Sequence, residues 1–353
     1  MGPEFLAALL ILLAVTLYVL LGGADFGAGV WEFNLALSVP RKERELLHRA
    51  IGPVWEANHV WLIFALVLLF QAFPTAYAAI SRALWVPLFL ALIGIVFRGA
   101  AFAYRSYSSR AAEQRLWQAV FAVASTSTPF FLGAAAGAIA SGSLEVTATG
   151  GFDGNYLTGW VHPLSIFTAF FGVGLCAYLA SIYLTREAAM QDDPDLVNVW
   201  RRRALATGAW MGILAMAGLP IMATTATALW EGFLDRALSI VALSLASGLF
   251  SLGALWLRRF TAAALSAGVA AATIIVGWGL AQYPALVPPS ITIASAKSPD
   301  SVIIASLWVI GGGAILVLPS LGFLIYLFKF RRESDQSASE TTSPRPSGPQ
   351  NTA

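Results

Sequence analysis

Apolar stretches long enough to cross a bilayer recur along almost the whole chain, and no other feature limits the fold so strongly. About 20 predominantly apolar residues suffice for a membrane-spanning helix. Candidate stretches run over 5–36, 53–78, 81–104, 116–140, 162–185, 204–228, 235–257, 260–281 and 302–329. Composition agrees: 58% of the chain is hydrophobic and 11% is charged, where soluble domains carry about 25% charged residues. The expected fold is an all-α polytopic membrane protein of about nine transmembrane helices. Its transmembrane domain covers 1–332, and the Ser/Thr/Pro-rich segment 333–353 is expected to be a disordered cytoplasmic tail. The N-terminus shows neither a basic leader nor a convincing cleavage site, so the first stretch reads as a retained span.

The basic residues test this division. If every stretch crosses, one side receives Arg41, Lys42, Arg44 and Arg49, then Arg105, Arg110 and Arg115, then Arg186, Arg201, Arg202, Arg203, Arg258 and Arg259, and the basic end of the chain. The other side receives only Arg82, Arg236 and Lys297. Positive charge is retained in the cytoplasm, which places the N-terminus outside and the C-terminus inside. The joints at 78–82 and 258–260 are the shortest, and losing either span would scramble the segregation. The formal net charge of +2 offers no argument for a nucleic-acid partner. A single cysteine, Cys176, excludes a disulfide framework and a cysteine-ligated cluster. The histidines are His48, His59 and His162, and no HExxH or CxxC motif occurs.

Small residues four apart, Gly23 with Gly27 and Gly133 with Gly137, allow helices to approach closely in lipid. Pro129, Pro220 and Pro319 fall within spans, where they should kink or open the helix. The Ser/Thr run at 125–128 could relay protons or bond to carbonyls around Pro129. His162 reads as structural, and Trp200 with the three arginines after it reads as an interfacial anchor.

Ionisable residues at membrane depth mark function by default. The second span opens "GPVWEANHVWLI", where Glu56 and His59, three apart, share a helical face. Trp55 flanks that face, and Asn58 is directed toward the side of Trp55 and Trp61. Glu56 is readable either as a complement to the helix dipole or as a functional acid. The first span ends "GGADFGAGVWEF": Asp25 and Glu32 share a face with Gly29 between them. The third ends "IVFRGAAFAYR", where Arg98 and Arg105 share a face and Arg98 is a countercharge for Asp25 or Glu56. With the topology above, Asp25, Glu56, His59 and Arg98 all fall in the cytoplasmic half of the first three spans. Such a carboxylate–imidazole chain suits inward movement of protons.

These three motifs in this order, with the later "YPALVPPS", resemble subunit II of the cytochrome bd-type quinol oxidases, including the cyanide-insensitive branch. The likeness covers nearly the whole chain except the tail. The arrangement it implies is two four-helix bundles plus one peripheral helix, in a bacterial cytoplasmic (inner) membrane. It also implies a haem-free subunit of an enzyme that oxidises membrane quinol and reduces dioxygen to water. Haem b and haem b/d-type groups would lie in subunit I, the pseudosymmetric partner. Subunit II would supply a hydrophilic proton path from the cytoplasm, on which Glu56 occupies the position of the motif acid and Asp25 matches the acid of the first span. No catalytic or metal-binding residue is implied in this chain. Trp55, Asn58, Trp61 and Arg98 would support the path. Some relatives hold a structural quinone, and lipids and a small accessory subunit are further partners of such complexes. Where some members read Asp-Gly-Asn-Gln, this chain reads Glu56-Ala57-Asn58-His59, so His59 adds a titratable group of its own. The competing readings are a secondary transporter, for which the acids lie too close to one membrane face, and a purely structural membrane partner.

Overall fold

The computed structural model describes residues 2–34, 40–51, 55–108 and 110–341. Side chains at several of these positions, among them 48–51, 55–57 and 324–341, lie outside the description. The long helices are α1 (Pro3–Asn34), α3 (Trp55–Ala72), α5 (Trp85–Tyr107), α6 (Ala111–Ser141), α7 (Pro163–Met190), α8 (Pro194–Thr225), α10 (Leu238–Trp256), α11 (Phe260–Gln282) and α13 (Asp300–Thr341). Short helices α2 (Arg41–Ile51), α4 (Pro74–Ala83), α9 (Thr227–Gly232) and α12 (Ile293–Ala296) join them, and a π-helical turn at Phe233–Ala237 links α9 to α10. Among the described residues, 8 helices are long and apolar enough to cross a membrane, or 9 if the bent pair α3–α4 is one span.

Local chemistry explains the starts and stops. Proline opens α4, α7 and α8 within the first turn, where its missing N–H costs nothing. The Asp193 carboxylate accepts from the Asp195 and Leu196 amides at the start of α8. Gly142, at φ 67°, closes α6 in the left-handed conformation that a glycine adopts without steric cost.

The second apolar stretch departs from expectation. Helix α3 stops at Ala72, and α4 leaves at 120° to it. Pro74 cannot donate to the preceding turn and disfavours helical backbone at Phe73, which sits at φ −136°, ψ 61°. The joints therefore lie at Phe73 and Leu84, and 78–82 is helical. The membrane-spanning elements are all helical, as expected, and the fold adds one small element outside them. The Pro-rich connection after α11 holds a small antiparallel hairpin, β1 (Ala285–Val287) with β2 (Ile291–Thr292). Val287, Ile291 and Thr292 are β-branched and suit the paired positions, and Pro288, Pro289 and Ser290 form the turn between them. Finally, α13 continues to Thr341, into the segment expected to be unstructured from 333. Neither glycine nor proline occurs between Gly322 and Pro344, and an established helix extends at little cost. Residues 342–353 lie outside the described residues.

Residues 1–300 form one compact unit and 301–353 a second. In the first, α7 and α1 are central. Helix α1 packs on α3, α6, α7 and α11, and α7 packs on α1, α6, α8 and α11. The glycine pairs make this possible. A Cβ on Gly27 would collide with the Cys176 carbonyl of α7, and one on Gly137 with Ser165 and Thr168 of the same helix.

The connections gather at two ends. At one, Glu43 of α2 pairs with Arg203 of α8, Lys42 reaches Asp193 at 3.4 Å, and Arg258 donates to Asn198 at 3.1 Å. At the other, Arg82 donates to the Gly150 carbonyl at 3.0 Å, Ser290 to that of Val146 at 3.1 Å, and Ser298 to that of Gln71 at 2.7 Å. Trp200 corrects a further expectation. It is fully buried under α2 rather than anchored at an interface, and the Arg203 guanidinium lies 4.5 Å over its ring. Leu46 and Leu47 of α2 pack into the same cluster, which draws Trp200 inward.

Candidate functional site

Two ion pairs stand one above the other inside the first unit. Arg98 of α5 pairs through Nη2 with Oδ1 of Asp25 on α1, and its Nε donates to Ser125 Oγ of α6 at 3.1 Å. Seven residues further along both helices, Arg105 Nη1 donates to Glu32 Oε1 and Oε2 at 3.2 and 3.3 Å. Seven residues are close to two helical turns, so the two acids project from one face of α1 and the two arginines from one face of α5. Asp25, Glu32 and Arg98 are 4%, 0% and 1% exposed. At that burial a lone charge would be prohibitive, and each acid has a partner.

Aromatic rings and small residues hold the ladder. The Phe121 ring of α6 has the Arg98 guanidinium 5.2 Å from its centroid and that of Arg105 at 4.8 Å, while Phe26 lies 4.7 Å from Arg98. The ring faces offer negative potential to both cations. Gly29, between Asp25 and Glu32, faces α6: a Cβ there would strike Ser125. On α5, a Cβ on Gly94 would strike Thr128. These two glycines let α6 approach closely enough for Ser125 to reach Arg98. The rest of the Ser/Thr run stays local, since Thr126, Ser127 and Thr128 donate to carbonyls of α6 itself.

Helix α3 closes the site from another side. Asn58 Nδ2 donates to the Leu21 carbonyl of α1 at 3.3 Å, not toward Trp55 and Trp61 as its helical position suggested. The His59 ring centroid lies 6.0 Å from that of Tyr18 and 5.8 Å from that of Phe26. Trp61 packs against the cluster of Tyr18, Phe26 and Cys176. The side chains of Trp55 and Glu56 lie outside the described residues.

Of the residues singled out from sequence, Asp25, Asn58, His59, Trp61 and Arg98 therefore meet. Of the two acids offered to Arg98, Asp25 is its described partner. The Glu32–Arg105 rung, Phe121 and Tyr18 were not singled out as site residues. The signal for the rung was present, because both helices carry their charges at the same seven-residue spacing. Tyr18 stands seven residues before Asp25 and extends the same periodicity. Outside the spans, His162 behaves as read: its Nδ1 accepts from the Leu164 amide at 3.4 Å and caps α7. Among the described residues, no three His, Cys, Asp or Glu side chains gather as a metal site.

Comparison with known proteins gives three findings. A family profile described as cytochrome bd terminal oxidase subunit II matches residues 3–328. Over 116 residues the chain is 34% identical to the cytochrome bd ubiquinol oxidase subunit 2 of Bacillus subtilis, covering 33% of this chain and 34% of that protein. Over 165 residues it is 28% identical to the cytochrome bd-I ubiquinol oxidase subunit 2 of Escherichia coli, covering 46% and 43%. The chain thus spans less than half the length of these two relatives in the matched stretches. The bd oxidase structure from Geobacillus thermodenitrificans shares the fold, with a TM-score of 0.76 at 21% identity over 94% of this chain and 99% of that one.

Proposed function

Because the chain belongs to the cytochrome bd terminal oxidase subunit II family, we propose that it is the haem-free subunit of a bacterial inner-membrane quinol:dioxygen oxidoreductase. In this reading it pairs with a haem-bearing subunit I, braces it, and delivers cytoplasmic protons for reduction of dioxygen to water. The observation that carries the proton role is the buried ladder of Asp25–Arg98 and Glu32–Arg105. A purely structural partner gains little from two desolvated ion pairs, since well-packed apolar residues of similar volume often replace such pairs with no loss of stability. Members of the family have names that include ubiquinol oxidase subunits, in keeping with the electron donor.

The path begins with Glu56 in the first turn of α3 and runs by way of Asp25 and His59, the latter on the same face of α3 as Glu56. Asn58 holds α3 to α1, and Trp55, Trp61 and Arg98 frame the route. The end carrying Arg203, Arg258 and Lys42 is cytoplasmic in this reading. Helices α3, α1, α6 and α5 pack in succession, and α7, α8, α10 and α11 close a ring, which supports two bundles of four joined through α1, α6 and α7. Redox chemistry belongs to the haems of subunit I, and this chain's residues bind, orient and move protons.

The test is Glu56→Gln in the purified complex. Quinol oxidase turnover should fall while haem content is retained. Unchanged turnover would reduce Glu56 to a helix-dipole residue, and loss of haem together with activity would give it a role in assembly. Substrate counterflow by the chain alone in liposomes would replace the whole reading with that of a transporter.

A further inference from the structure

Four polar atoms around Phe26 have no protein partner among the described residues: Tyr18 Oη, Asp25 Oδ2, His59 Nδ1 and Arg98 Nη1. Tyr18, Asp25 and Arg98 are 7%, 4% and 1% exposed. A buried polar atom without a partner costs about 1–3 kcal/mol, and proteins avoid that cost by enclosing water where two to four such groups converge. Here the four side chains share one cluster around Phe26. The rings of Tyr18, Phe26 and His59 form a near-equilateral triangle with centroid separations of 6.4, 6.0 and 5.8 Å. Arg98 lies over Phe26, and Asp25 is its neighbour in α1. Gly22 stands between Tyr18 and Phe26 on α1, and a Cβ there would touch both rings.

We propose that these four side chains enclose a hydrated chamber, and that Tyr18 is the inner terminus of the proton path, reached from Asp25 through water and His59. The inference rests on the proton-delivery reading above and carries the path two helical turns further into the bundle. Tyr18 lies seven residues before Asp25, or about 10 Å along α1, and His59 spans that interval from the opposite helix. Both a phenol and an imidazole accept a proton on one atom or lone pair and release one. No net charge is left behind when a proton enters at Asp25 and another leaves at Tyr18. Arg98 has no such role, because a guanidinium offers donors and no acceptor; it holds Asp25 in place.

Two measurements on the intact oxidase complex decide this. Radiolytic hydroxyl labelling in oxygen-18 water marks side chains in contact with bound water whatever their exposure. Tyr18 should label at a rate near that of Tyr107, which is 88% exposed, and far above Tyr178, which is equally buried but bonded to Ser251. Tyr18→Phe removes only an oxygen that has no protein partner. It should leave haem content and melting temperature unchanged and lower quinol oxidase turnover about tenfold, equivalent to about 1.4 kcal/mol of barrier. Labelling of Tyr18 as slow as Tyr178 overturns the chamber. Normal labelling with unchanged turnover overturns Tyr18 as part of the path. If Tyr18→Phe loses haem, the labelling of the unaltered complex and the turnover of His59→Gln decide in the same way. An unaltered complex without quinol oxidase activity would instead sink the family function, while the labelling still reports on the chamber.

Discussion

His162 shows how much a single cap can depend on its protonation state. Its Nδ1 accepts from the Leu164 amide only while that nitrogen is unprotonated, and partial burial pushes the imidazole below its usual value of 6.5. The positive end of α7 also disfavours the cation. A lowered folded-state pKa means that the cap contributes fully above the unfolded pKa and fades as pH falls through the folded one. His162→Ala should therefore melt below the unaltered complex at neutral pH, and the two melting curves should merge under acid conditions. A gap that persists in acid would show that the ring acts by packing alone. At this same scale, legibility from sequence was uneven. Asp25 and Arg98 announce themselves because charge at membrane depth is expensive. Their pairing does not, since α1 and α5 are joined across α6 and no sequence spacing encodes which acid an arginine seventy residues away will meet. Tyr18 was illegible for a different reason: a tyrosine in an apolar helix looks like core until its hydroxyl is found without a protein partner.

Glycine decides where helices touch, and the contrast between two glycines makes this measurable. Gly27→Val would drive side-chain atoms into the Cys176 carbonyl and the Ala180 side chain of α7. Overpacking of this kind costs about 1–3 kcal/mol and more when backbone must move. Gly248 in α10 has nothing within 4 Å of a built Cβ, so Gly248→Ala should be neutral or stabilise by about 0.5–1 kcal/mol through helix propensity. Thermal melting of the two variant complexes checks both signs, and equal effects would refute the role given to the glycine pair. Most helices were readable from hydropathy to within a few residues. The failures were those elements whose form depends on something other than apolar length. Helix α2 is short and amphipathic, and it folds only because Leu46 and Leu47 find Trp200 and Leu196 beneath them. The corner between α3 and α4 rests on one proline inside an unbroken apolar run.

Over the whole chain, the segregation of arginines and lysines argues for the orientation proposed above, with the N-terminus outside. The structure groups the same connections at the same ends through Glu43–Arg203 and Arg82–Gly150. The single cysteine is buried, which makes the chain suited to cysteine mapping without prior substitution. Leu157→Cys, at a position 65% exposed, should react with a membrane-impermeant maleimide in intact cells. Arg110→Cys, whose side chain is 82% exposed, should react only after permeabilisation. The reverse pattern would invert the topology and with it the direction of the proton path.

The corner at Phe73 carries a consequence for the order in which the protein is made. Helix α3 ends on carbonyls that receive their hydrogen bonds from Ser298: its hydroxyl donates to Gln71 and its amide to Ala72, across 227 residues of chain. A ribosome adding about 5–20 residues per second emits Ser298 roughly 10–45 seconds after Gln71. Throughout that interval the second span waits in the membrane with this end unfinished, and the connection between α12 and α13, made much later, is what completes it.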